Sequence, residues 1–227
     1  IFSLKIGFYK LLNLYIIFFL ICFQGFIGWY MVSSGLVERI DVSHFRLSIH
    51  LLMAFFILSL ILWNYLKLKN IKVTNHKINS LIPFSFIFLI FCQITLGAFV
   101  SGMDAGKIYN SWPLMGSSFF PDDSKISQLF EFSAFSDPSL VQFMHRTLAY
   151  LILIFYFFIL IKIYKNKLKS FFYSINLIGI LLSVQIILGI LTLLYGAQIV
   201  LSSMHQISSI LLVSSTIYFL FLNKKTN

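Results

Sequence analysis

Six runs of about 20 apolar residues, at 11–31, 47–66, 78–100, 141–163, 171–195 and 199–222, dominate this sequence of 227 residues. A helix of that length crosses a ~30 Å hydrocarbon core, and hydrocarbon admits only elements that satisfy their own backbone hydrogen bonds. With 59% hydrophobic residues and a mean hydropathy of +0.92, the chain is too apolar for a soluble domain, whose share is nearer ~45–50%. The expected fold class is all-α: a polytopic membrane helical bundle of six transmembrane helices.

The formal charge of +10 is explained by topology. Lysines 5, 10, 67, 69, 72, 77, 162, 165, 167, 169, 224 and 225 all fall on one face, with no acid among them. The other face holds Arg39, Arg46, Lys107, Lys125 and Arg146 together with Glu38, Asp41, Asp104, Asp122, Asp123, Glu131 and Asp137. Positive-inside bias puts the lysine face and both chain ends in the cytoplasm, and nucleic acid is excluded as the reason for the basic excess. Cys22 and Cys92 lie within apolar runs and are expected as free thiols. Residue 1 is Ile, and residues 1–10 have no signal-peptide h-region, so a fragment of a longer protein is expected. A bacterial plasma membrane is favoured over an inner mitochondrial one, since no transit segment is visible.

The helices pair into three hairpins joined on the outer side by residues 32–46, 102–140 and a tight turn near 196–198. The long second connection carries Tyr109, Trp112, Phe119 and Phe120, which predicts a partly packed lid. Each hairpin repeats one pattern. Its first helix carries Gln-x-x-x-Gly, at 24–28, 93–97 and 185–189, and its second carries a histidine, His50, His145 or His205, about one turn inside the outer end of the apolar run.

An imidazole in hydrocarbon is costly and usually faces a bundle interior. Three at one depth point to transmembrane haem-iron ligation, for which neutral histidine is a standard axial ligand. The even helices start at the outer face, so their positive ends favour the propionates there, with Arg146 beside His145 and Arg46 one turn before His50 adding charge. The glycines either admit a flat ring or serve as small helix contacts; the glutamines either orient imidazoles or bridge helices. His44 reads as an interfacial loop residue, His76 as a solvated one, Tyr109 and Tyr150 as aromatic-belt residues, and Asp104 with Lys107 as a loop salt bridge. No P-loop, dinucleotide fingerprint, Cys-x-x-Cys, nucleophile elbow or His-Glu-x-x-His occurs. The helix cores lack the charges of a proton or ion relay. Bis-histidine ligation by itself predicts only a di-haem b-type cytochrome acting in electron transfer.

More specific are QGFIGWYMVSSGL at 24–36, FRLSIHLLMA around His50, GAFVSGMDAGKIYNSWPLMG at 97–116 with Pro121-Asp122-Asp123, VQFMHRTLAY around His145, and His205-Gln206. Together they resemble the haem A synthase family, whose members oxidise a methyl group of haem O to a formyl group for cytochrome oxidase. The resemblance implies eight helices in two similar halves, with this chain lacking the first two. Residues 1–77 are then a remnant of the N-terminal half, on the substrate-haem side. Residues 78–227 are the C-terminal four-helix half with its outer loop 102–140. It also implies that His145 and His205 ligate haem B, that His50 is an axial ligand of the substrate haem and the catalytic residue here, and that Arg146 helps bind cofactor. Water is the implied oxygen source. Haem O synthase and oxidase assembly factors are the implied partners beside the lipid bilayer; a homo-oligomer is left open, and the fragment itself is expected to be inactive.

Overall fold

The computed structural model describes residues 8–35, 42–69, 71 and 77–225. Within them are six long helices, α1 (Phe8–Gly35), α2 (His44–Leu68), α3 (Leu81–Gly102), α4 (Pro138–Lys165), α5 (Phe172–Leu194) and α6 (Ile199–Lys225), and all six are long and apolar enough to cross a membrane. The all-α polytopic bundle is therefore as expected. Several helices run a few residues beyond their apolar runs, so His50, His145 and His205 are the seventh, eighth and seventh residues of α2, α4 and α6. At 1.5 Å per residue that is roughly 10 Å inside each helix start. His76, Glu38, Arg39 and Asp41 lie outside the described residues.

Local sequence sets the helix ends. Pro138 occupies the first turn of α4, where its missing N–H costs nothing, and the Asp137 carboxylate accepts from the Leu140 N–H at 3.0 Å as the N-cap. Between α5 and α6, Gly196 (φ +65°) and Ala197 (φ +58°) turn the chain in the left-handed region, which is the tight turn expected there.

Helix α3 packs on α4 and α6, and α5 packs on α4 and α6, so the last four helices close a ring in the order α3, α4, α5, α6. Helix α2 lies against α3 and α6, and α1 lies against α2. Burial within the ring is uneven. The end away from the histidines holds fully buried Phe86, Ile159, Ile163, Phe171, Ile175, Ile178, Val213 and Phe219. It is closed by Asn223, whose Oδ1 accepts from the Ile78 N–H at 2.9 Å while its Nδ2 donates to the Ile78 carbonyl at 3.1 Å. Around the histidines, residues 91–97 of α3 and 143–150 of α4 are only half-buried.

The connection from α3 to α4 is folded, with short 3-10 turns at Ala105–Lys107, Ile126–Phe130 and Phe132–Ser136 and buried Ala105, Met115 and Ala134. Phe132 stacks on Phe45 of α2, and Phe135 meets Phe99 of α3 edge-on. The loop thus lies across the helix ends nearest the histidines as a partly packed lid, as its aromatic content predicted.

Candidate functional site

In each hairpin the glutamine and the glycine face the same histidine. On α1, the Gln24 Nε2 donates to the His50 carbonyl at 2.9 Å and lies 3.3 Å from the His50 Nε2. On α3, the Gln93 Nε2 donates to the His145 carbonyl at 3.0 Å and again lies 3.3 Å from the ring Nε2. The Gln185 Nε2 of α5 donates to the His205 carbonyl at 3.0 Å. Both readings of the glutamines therefore hold together in the first two hairpins: the amide bridges helices through the backbone and touches the imidazole.

The carbonyl bond fixes which end of each amide faces the histidine, since only the NH2 group donates. Its contact with the His50 or His145 Nε2 is then favourable when that nitrogen carries its lone pair and the proton sits on Nδ1. The Nδ1 atoms of His50, His145 and His205 are buried without a hydrogen-bond partner, as are the Oε1 atoms of Gln24 and Gln93. Buried polar atoms without partners are few in folded proteins and call for a reason.

The glycine of each pair sits one turn beyond its glutamine and makes room for the imidazole edge. A Cβ on Gly28 would stand 2.9 Å from the His50 Cε1, and on Gly97 or Gly189 it would stand 3.2 Å from the Cε1 of His145 or His205. The flat ring these glycines admit is therefore the histidine's own. Because the ring order is α3, α4, α5, α6, His145 on α4 and His205 on α6 come from diagonally opposite helices.

Arg146 ties the loop to this layer. Its guanidinium donates to the carbonyls of Tyr109 (2.8 Å), Ser111 (2.9 Å) and Leu114 (3.3 Å); its Nε is buried without a partner, and it meets no carboxylate among the described residues. With its charge solvated by carbonyls and offset by no carboxylate among the described residues, the half-buried guanidinium is suited to an anion. Arg46 lies over the Tyr30 ring at 5.1 Å, joining the ends of α1 and α2 nearest His50. Asp122 accepts from the Ser117 N–H at 2.7 Å and its hydroxyl at 2.8 Å, which hold its carboxyl below the usual range. Asp123 is raised by burial, but the Ser139 hydroxyl at 2.7 Å, with Tyr109 and Ser124, outweighs that and lowers it.

Other residues differ from their sequence readings. His44 is the first residue of α2, its ring edge-on to Phe99 at 5.2 Å, because Gly102 at the end of α3 lets the backbones approach: a Cβ there would meet the His44 Cα at 2.9 Å. Tyr150 and Tyr109 also tie the loop to α4. The Tyr150 hydroxyl accepts from the Trp112 Nε1 at 3.0 Å, and the Tyr109 carbonyl also accepts from the Gln142 Nε2 at 3.2 Å. Asp104 pairs with Lys107 at 2.9 Å, both exposed, as expected. Cys22 and Cys92 are free. Sequence reasoning missed Gln142, Ser208 and Asn110, whose Nδ2 donates to the Leu193 carbonyl of α5 at 2.8 Å. The available signal was a polar residue inside an apolar run for the first two; Asn110 offered none.

These observations define a class: a multispan helical membrane protein with a histidine layer between its helices and a folded loop across that layer. The chain belongs to the cytochrome oxidase assembly protein family, whose model matches residues 6–217. It is 52% identical over 213 residues to a haem A synthase of Pelagibacter ubique, covering 94% of this chain and 62% of that protein. It is 41% identical to one of Rickettsia bellii, covering 92% of this chain and 63% of the relative, and 39% identical to one of Rickettsia africae, covering 91% and 63%. The chain thus spans less than two-thirds of the length of these relatives.

Proposed function

We propose that this chain works as a haem A synthase, oxidising the methyl group of haem O to the formyl group of haem A by successive hydroxylations, with water as the oxygen source. What supports the reading is that His145 and His205 lie on diagonal helices of a closed ring, each with its Cε1 in a glycine notch, in a chain whose similar relatives are haem A synthases.

The donor set fits haem B. Two imidazoles supply nitrogen lone pairs, and Arg146 supplies a positive charge suited to a propionate at the histidine level. Haem B, when bound, supplies a one-electron carrier. The chain's residues do the rest. Gln93 and Gln185 hold the backbone at the two histidines, while Trp112, Phe119, Phe120 and Phe143 form an aromatic cover with Tyr150 that limits water entry. His50, held by Gln24 and Gly28 between α1 and α2, serves the substrate haem in residues 1–77, and residues 78–227 form the haem B half. The protein resides in a bacterial plasma membrane with both described ends cytoplasmic, receives haem O from haem O synthase, and serves the assembly of cytochrome oxidase.

The test is extraction and mass analysis of haems after expressing the full-length protein beside haem O synthase. Haem A is expected; haem O without a hydroxylated or formyl product overturns the proposal. His145→Ala or His205→Ala is expected to abolish the low-spin spectrum of tightly held haem, and an unchanged spectrum refutes that pairing.

A further inference from the structure

The third hairpin departs from the other two at one proton. A glutamine amide has two N–H donors, and in every hairpin one of them goes to the histidine carbonyl. In the first two hairpins the amide also reaches the imidazole Nε2, at 3.3 Å. In the third, the Gln185 Nε2 donates instead to the Ser208 hydroxyl, which itself donates to the His205 carbonyl at 3.1 Å. Ser208 stands three residues after the histidine, where the other hairpins carry Met53 and Leu148, neither able to accept a hydrogen bond of this kind.

We infer that Ser208 is a positioning residue that keeps the Gln185 amide off the His205 imidazole, so that the two histidines of the closed ring are chemically unlike. The His145 ring has its tautomer fixed by Gln93, whose amide shares the same lone pair a metal would use. The His205 ring faces no such competitor and is the less encumbered ligand. Its bearing on haem rests on the proposed function, whereas the nitrogen chemistry does not.

The first measurement is therefore made on the full-length protein with 15N-labelled histidine, purified without haem, its resonances assigned by single histidine-to-asparagine variants. His145 is expected in one tautomer with its Nε2 shifted by the amide, and His205 at a different position. Ser208→Leu, which copies the second hairpin, moves His205 toward the His145 pattern, Ser208→Thr keeps the hydroxyl and leaves it unmoved, and Gln93→Leu moves His145. Identical patterns for the two histidines, or a His205 resonance indifferent to both Ser208→Leu and Ser208→Ala, overturns the inference. In haem-loaded protein, Ser208→Leu is expected to speed haem transfer to apomyoglobin by up to about tenfold, the worth of one competing hydrogen bond. A protein that binds no haem removes the functional proposal while leaving the nitrogen result readable.

Discussion

Gly25 and Gly28 lie three residues apart on α1, and alanine at each should have opposite consequences. A Cβ at Gly25 meets nothing within 4 Å, so Gly25→Ala keeps only the helix-propensity gain, up to ~1 kcal/mol. A Cβ at Gly28 would stand 2.9 Å from the His50 Cε1, roughly 0.6 Å short of the ~3.5 Å at which carbon atoms rest. Swinging the imidazole away would give up the contact of its Nε2 with the Gln24 amide at 3.3 Å. Overpacking of this kind costs about 1–3 kcal/mol. The propensity gain is common to both variants, so the difference between them is that same ~1–3 kcal/mol. Gly97→Ala and Gly189→Ala, with contacts of 3.2 Å, should fall between. Thermal unfolding of the full-length protein in detergent, followed by loss of the monodisperse peak, reads the order directly. If Gly28→Ala unfolds together with or later than Gly25→Ala, the glycine is not a notch for the imidazole and the argument for all three hairpins fails.

Removing the Arg146 guanidinium in Arg146→Ala strips the loop of its bonds to the carbonyls of Tyr109, Ser111 and Leu114. Opening of residues 104–136 should become easier by about 2 kcal/mol, the scale of a hydrogen bond to a charged group, seen as roughly 30-fold faster amide exchange there; unchanged exchange would count against the anchoring role. The same loop should respond to acid. Hydrogen bonds hold the Asp122 and Asp123 carboxyls below their usual value of 3.8, so their contribution is complete above that pH and is lost as pH falls through the lowered folded values. Protection of the loop amides, taken relative to their intrinsic exchange at each pH, should therefore stay constant down to about pH 4 and fall below it. Ser117→Ala, which removes a hydroxyl donor from Asp122, should bring its folded value back toward the usual one and so shrink the acid-induced loss; a loss of unchanged size would contradict the assignment.

The helix count and the common depth of His50, His145 and His205 were legible because both follow from where apolar runs begin, a local property of the chain. The pairing of Gln-x-x-x-Gly with the histidine was legible as a repeat, yet its geometry was not: spacing cannot say whether an amide meets a backbone carbonyl, an imidazole or both. The hold of Arg146 on the loop was hidden for a more general reason. Its acceptors are carbonyls of residues 109, 111 and 114, and a carbonyl is the same whatever side chain it carries. His44 was misread as a loop residue because hydropathy marks the start of an apolar run, while the helix begins earlier, where Gly102 of α3 lets the two backbones meet.

The fastening of the loop falls on the residue immediately after His145. A displacement of the segment around Trp112 therefore reaches the backbone of α4, through the Arg146 side chain, at the position next to that imidazole.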